Sequence, residues 1–338
     1  MHDTKRQLAA VFVNYSQLPV YDRQSMLHGN MALTASPNKG SIRISFMSTG
    51  TAKIRPSMRS QPISNQWVIT RRLRAFCDRG WTDPLPIGVF LISHPEGPIL
   101  FDTGESTHRN EPGFLPSWSP TGMLTTITIS REEGIVAQLR SRGIEPSTLQ
   151  AVVISHLHGD HAGGLQDLAA VAPNVPIYLS REHWDAVANA NHLNANIQGF
   201  HPQHWPADFK PRFLHRTDHP VGPWPQSSKI TADGKVLAVD TPGHVPGHVS
   251  LVVYGDDGEH GTTYFLPGDA TYGVDLLDKE EPDGINDDPQ TALQSLRLIK
   301  QFAQETDLVV LPSHDPDVAR LLQDRVLYRP KPRHDQEP

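Results

Sequence analysis

The sequence predicts an α/β protein laid out as a four-layer αββα sandwich, and three observations predict it. Short runs rich in β-branched residues, such as Ala151-Val152-Val153-Ile154 and residues 308–311, are too brief for helices and read as buried strands. Longer stretches place apolar residues at helical spacing, the clearest being 290–304 with Leu293, Leu296, Ile299 and Phe302 after Asp288 and Pro289. In both halves strands come first and helices after, as two facing sheets with helices outside require, and no sequence repeat proves an internal duplication.

Composition bounds the class. A chain of 338 residues with 37% hydrophobic content can bury a sizeable core. Its 30 basic and 37 acidic residues leave a net charge of -7, which gives no general attraction to phosphate backbones or anionic membranes, so neither nucleic acid nor membrane is an expected partner. There is no stretch approaching a membrane span and no secretory leader pattern. The single cysteine, Cys77, excludes an internal disulfide and reads as a buried thiol, which together favour a cytoplasmic location.

Taken in order, residues 1–38 show no sustained period and read as a flexible arm. The domain is expected over 39–325, with 39–85 as an N-terminal extension and 326–338 as a tail. Residues 41–48 alternate (Ile42, Ile44, Phe46) as a strand, whereas 49–83, mixing Arg55, Arg59, Arg71, Arg72 and Arg74 with Trp67, Leu73, Phe76 and Trp81, reads as a surface loop. Residues 86–94 and 97–102 form a strand pair turning at Pro95-Glu96-Gly97, and Asp102 at its end either supports the site or caps a turn. The connection 106–129, with Phe114, Leu115, Trp118 and Met123, is long enough to be functional. Ser130 and Glu133 form a capping box ahead of a helix with Ile135, Val136 and Leu139, which Gly143 ends. A strand at 175–179 and a helix from Ser180 follow. The aromatics Phe200, Trp205, Phe209, Phe213 and Trp224 are candidate walls of an apolar channel. His201, His204, His215 and His219 among them read as partly exposed surface histidines. Asp233-Gly234 marks one hairpin, and 249–254 with 262–266 form another around Gly255-Asp256-Asp257-Gly258.

Chemistry concentrates at His156-Leu157-His158-Gly159-Asp160-His161, where four metal-competent side chains occupy six positions directly after a strand. Extended backbone would turn His156, His158 and Asp160 to one side, with His161 entering the helix that follows. Three further strand-end donors lie downstream: His244 after Pro242-Gly243, Asp269 after Pro267-Gly268, and His314 after Pro312-Ser313. One catalytic zinc takes about three protein ligands. Seven donors therefore suit two metals joined by one carboxylate, for which Asp269 is the natural bridge.

The His-x-His-x-Asp-His motif, followed in order by Gly-His, Gly-Asp and a late His, resembles the metallo-β-lactamase superfamily over roughly residues 86–314. Within it, Asp269-Ala270-Thr271-Tyr272, with a tyrosine three residues past the bridging Asp, looks like the N-acyl-homoserine lactone lactonases. The resemblance implies that His156, His158 and His244 hold one Zn2+, that Asp160, His161 and His314 hold the other, and that Asp269 bridges. His244 is preferred to His248 because it directly follows the Pro-Gly turn, which leaves His248 as support or core. It further implies a bridging hydroxide attacking a lactone ester, Tyr272 polarising the carbonyl and Asp160 passing a proton to the leaving oxygen. Apolar loops around Trp118 and Trp205 would then take the acyl chain. Family members are often dimers, with 49–83 the candidate contact.

Alternatives are a thioesterase of the glyoxalase II kind, disfavoured because only 24 residues follow His314, and a one-iron persulfide dioxygenase, which needs fewer ligands than the chain offers. A binding protein with a vestigial site would not keep the full ligand set. No nucleophile elbow, P-loop or dinucleotide glycine pattern is present.

Overall fold

The apolar alternation at 41–48 is the start of a longer strand. In the computed structural model, which describes residues 41–63, 67–188, 190–256 and 261–331, β1 (Arg43–Ile54) runs on through Gly50, where its register against β2 shifts between Ser48 and Thr51. That irregularity hides the continuation from a period-2 reading. The chain divides into units 1–36 and 37–338. The expected arm 1–38, the tip of the turn at 255–258 and the tail beyond 331 lie wholly or partly outside the described residues.

The expected surface loop over 49–83 is instead the end of β1, α1 (Pro56–Arg59) and α2 (Val68–Cys77). Only Arg71 and Ala75 of α2 are buried, one turn apart, and this narrow face escapes an apolar-periodicity test because one of its two members is an arginine. The Arg71 guanidinium donates to the carbonyls of Gln61, Pro62, Pro282 and Asp283, which offsets its burial. Cys77, two residues past Ala75, points away from that face and is exposed, which corrects the buried-thiol expectation.

β2 (Leu85–Ser93) and β3 (Ile99–Phe101) form the expected hairpin. The long connection after them ends in α3 (Pro120–Leu124) and β4 (Thr125–Thr128), and β4 pairs with the far half of β1. The capping box at Ser130 and Glu133 forms on a 3-10 turn ahead of α4 (Ile135–Ser141). β5 (Ala151–Val153), α5 (Gly159–Ala162), α6 (Leu165–Val171), β6 (Ile177–Leu179), α7 (Arg181–Val187), α8 (His192–Ile197) and β7 (Arg212–Phe213) complete the first half. β8 (Arg216–Thr217), β9 (Ser227–Lys229), β10 (Val236–Asp240), β11 (Val249–Gly255), β12 (Thr262–Leu266), α9 (Val274–Lys279), α10 (Pro289–Glu305), β13 (Leu308–Val310) and α11 (Val318–Gln323) make the second.

The strands form two sheets, ordered β4-β1-β2-β3-β5-β6-β7 and β13-β12-β11-β10-β9-β8. Alternation along β2 sends Phe90 and Ile92 toward Val253, Tyr264 and Val309 of the other sheet. Val89 and Leu91 face the opposite way, onto Ile135, Leu139 and Leu165 of α4 and α6. On the far side of the second sheet, Val239, Val252 and Phe265 pack on Leu296, Ile299 and Phe302 of α10. Helix, sheet, sheet and helix are thus the four layers. Tyr328 closes the far core, with its backbone N–H on the Leu308 carbonyl at 2.7 Å.

Candidate metal centre

Every donor expected from the sequence arrives at one end of the two sheets. His156 follows β5, His158 caps α5, Asp160 and His161 lie on its first turn, His244 follows β10, Asp269 follows β12 and His314 follows β13. Because α5 begins at Gly159, the extended backbone stops at His158. That overturns the expectation of His156, His158 and Asp160 on one side: Asp160 groups with His161 and His314, while His156 and His158 group with His244. Gly243 makes the third approach possible. At φ +128 it lies so close to the first turn of α10 that a Cβ would sit 2.2 Å from the Ala292 nitrogen.

Three ring nitrogens face one another in the first group. His158 Nδ1 is 2.9 Å from His156 Nε2 and 3.1 Å from His244 Nε2. In the second, Asp269 Oδ1 is 3.0 Å from His161 Nε2 and 3.2 Å from His314 Nε2, and Asp160 Oδ2 is 3.6 Å from the latter. The other Asp269 oxygen is 3.5 Å from His244 Nε2, so this carboxylate stands between the groups with one oxygen toward each.

The opposite edge of each ring is anchored. His161 Nδ1 bonds Asp102 at 2.8 Å, His244 Nδ1 bonds Asp283 at 3.1 Å, and His156 Nδ1 lies 3.0 Å from the Ser155 hydroxyl. His158 Nε2–H donates to the Gln198 carbonyl and His314 Nδ1–H to that of Pro86, at 2.9 and 2.8 Å. These bonds place the proton on the outer nitrogen and leave the inner lone pairs converging, the arrangement of histidine ligands to a metal. Asp102, held in the left-handed region at φ 63, also accepts from the Ser155 N–H and hydroxyl, so it supports the site and the turn at once.

The electrostatics agree. Burial first, and then neighbouring imidazoles, push His156 and His158 well below the usual histidine value. Burial also opposes charge on His161, but Asp269 and Asp102 overcome it and raise that group. Asp269 is held far below the carboxylate range despite its burial, chiefly by His161 and His314. His161 Nε2, Asp269 Oδ1 and His314 Nε2 are buried within 3.2 Å contacts and yet make no hydrogen bond. Buried polar atoms that converge without bonding one another fit a pair of divalent cations. A separate group, His94, Glu96 and Asp233, does not: His94 accepts from the Glu96 N–H on one nitrogen and faces Asp233 with the other.

Tyr272 is buried, with its ring 5.0 Å from that of His314 and within electrostatic reach of Asp269. Burial, then Asp269, raise it well above the ordinary tyrosine value, so it stays a hydroxyl. His248 accepts from the Asp269 N–H at 3.2 Å and bonds Thr241, a supporting position. Sequence reasoning missed Asp283, which sits after α9 with no motif to mark it.

A cavity of about 210 Å3 opens on Asp160, Asp269, Tyr272 and His314. Its apolar wall comes from Ile54, Met58, Phe76, Leu85, Leu124 and Ile127, on β1, α1, α2, β2, α3 and β4. This corrects two expectations: neither Trp118 nor Trp205 lines it, Trp118 being exposed and Trp205 packed on the α7 side of the core. Phe200 alone of the downstream aromatics reaches the cavity, and His201 is buried there, contrary to its reading as a surface residue.

Residues 82–314 match the family model of the metallo-beta-lactamase superfamily. An N-acyl homoserine lactonase of Bacillus thuringiensis is 31% identical over 240 residues, 68% of this chain and 82% of its own length. The N-acyl homoserine lactonase AttM of Rhizobium radiobacter is 25% identical over 69% of this chain and 83% of its own. A solved N-acyl homoserine lactone hydrolase, with the product N-hexanoyl-L-homoserine at its catalytic metal centre, superposes with a TM-score of 0.65 at 22% identity, covering 83% of this chain and 96% of that one. The dizinc quorum-quenching lactonase AidC superposes at 0.56 with 19% identity, covering 82% and 88%.

Proposed function

This chain belongs to the metallo-beta-lactamase superfamily, and from that premise we propose that it is a dinuclear-zinc hydrolase opening the ring of N-acyl homoserine lactones, a quorum-quenching activity. The observation that carries the reading is the joint one: seven donors in two groups share Asp269, and they open onto a cavity walled by aliphatic side chains. The first suits hydrolysis at a pair of cations and the second an acyl chain. The names of the relatives support the choice of substrate.

His156, His158 and His244 would hold one metal, Asp160, His161 and His314 the other, and Asp269 would join them. When bound, the metals supply Lewis acidity and an acidified water at working pH. The chain supplies the rest. Asp102, Asp283 and the Pro86 and Gln198 carbonyls fix the imidazole rings, so little reorganisation accompanies reaction. The Tyr272 hydroxyl donates to the ester carbonyl oxygen as negative charge develops there. Asp160, partly buried and lining the cavity, takes the proton that the attacking water gives up and returns it to the ring oxygen as the C–O bond breaks. The apolar wall keeps water from the acyl side.

A panel of lactones, thioesters and phosphodiesters, assayed with zinc-loaded and chelated protein, tests this. Metal-dependent turnover of acyl-homoserine lactones above the other classes is expected, with about two zinc per chain. Preference for a thioester, or a single iron per chain, would replace the reading.

A further inference from the structure

His201 carries a buried nitrogen with nothing to bond. The residue is 4% exposed, and its Nδ1 lies 2.9 Å from Asn196 Oδ1. The orientation of that amide is set by its neighbours, since Asn196 Nδ2 donates to the His192 carbonyl at 2.7 Å and Gln203 Nε2 donates to Asn196 Oδ1 at 3.2 Å. Nδ1 therefore carries the hydrogen, and Nε2 presents a lone pair that no protein group satisfies. Burial pushes His201 down to about 3, so the ring stays neutral and Nε2 stays an acceptor.

His201 lines the same cavity as the metal centre. Gly159, between the donors His158 and Asp160, faces it: a Cβ there would lie 3.3 Å from His201 Cδ2, 3.8 Å from Nε2 and 3.9 Å from Glu105 Oε1. A side chain at 159 would press on this ring edge and lie beside Glu105 Oε1, which accepts from the Ser106 N–H at 2.9 Å. Glu105 is itself buried, raised to about 7 by its desolvation, and has the Arg109 Nε 3.6 Å from its other oxygen. Glu105, Arg109 and His201 all line the cavity. A separate space of about 10 Å3, whose lining includes Glu105, His201 and His204, is at the lower limit for one water.

We propose that His201 Nε2 is a substrate-recognition acceptor, taking a hydrogen bond from an N–H or O–H donor on the acyl side of the substrate, with the Glu105–Arg109 pair as the polar wall around it. The proposal rests on the lactonase reading and refines it by naming the residue that reads the acyl side of the substrate. Two sources supply the donor: the amide N–H that joins acyl chain to ring, and a hydroxyl on the chain itself.

Three lactones of one chain length separate them: an N-hexanoylamino-γ-butyrolactone, its hexanoyloxy counterpart without the N–H, and the 3-hydroxyhexanoylamino derivative. With zinc-loaded wild type, loss of the recognised donor should raise KM about 5- to 10-fold, as for one neutral hydrogen bond. A penalty for the hexanoyloxy compound assigns the amide; a gain for the hydroxylated one assigns the hydroxyl. The His201→Phe substitution, which leaves Asn196 Oδ1 its Gln203 partner, should erase the ratio, and His201→Gln, with an acceptor oxygen, should restore part of it. Equal KM values for all three in the wild type, or a ratio that survives His201→Phe, would overturn the proposal and leave Nε2 to an ordered water. Should none of the lactones be opened, the lactonase reading falls instead. Calorimetric titration of the same three ligands then decides the subsite by the same ratio.

Discussion

At the scale of single residues, the site divides between donors that hold and groups that orient or react. Asp269, with one oxygen toward each group, has no substitute, so Asp269→Ala should lose both metal and turnover; metal analysis after desalting checks it. Tyr272 lies beside the donors without belonging to either group. Tyr272→Phe should therefore keep metal content while kcat falls roughly 100-fold, about 3 kcal/mol, measured on the preferred lactone. Asp102 acts at one remove, through the His161 ring. Asp102→Asn should weaken metal binding roughly 10- to 100-fold in a chelator competition without altering the donor count. The donors were legible because their spacing is tight and each later one follows a Pro-Gly or Pro-Ser turn at a strand end. Asp283 and His201 were not, since neither carries a local signature.

At the scale of elements, legibility followed periodicity. α10 could be read because its apolar stripe and Asp288 cap are both local, and the structure starts it at Pro289. The Asp288 carboxylate accepts from Thr291 and Gln290, bonds that hold its pKa below 3.8. A depressed folded pKa means that this stabilisation is complete above the ordinary carboxylate value and is lost as pH falls through the lowered one. Asp288→Ala should then cost about 1 kcal/mol in denaturant melts at pH 7, and the gap to wild type should close below about pH 4. α2 was missed because it buries an arginine and an alanine and turns its large residues outward. Those residues still matter, since Phe76 reaches the cavity from this helix. Phe76→Ala is expected to raise KM for long-chain lactones about 5-fold and to leave short-chain ones near wild type, as removal of partly exposed apolar wall should.

At the scale of the whole molecule, the two sheets share one apolar core, and their ends also meet at the donor cluster. Metal at about 100 times its Kd should add about 2.7 kcal/mol to folding, so chelation is expected to lower the melting temperature by roughly 5 to 10 °C in calorimetry. An unchanged transition would show that the cluster is held without ions. The described residues include no helix long and apolar enough to cross a membrane. The order of the donors along the chain has a further consequence. His156 and His161 leave the ribosome early, whereas His314 emerges only after the whole second sheet has been made. The full donor set is therefore completed only late in synthesis, and a nascent polypeptide stalled before that histidine would carry an incomplete one.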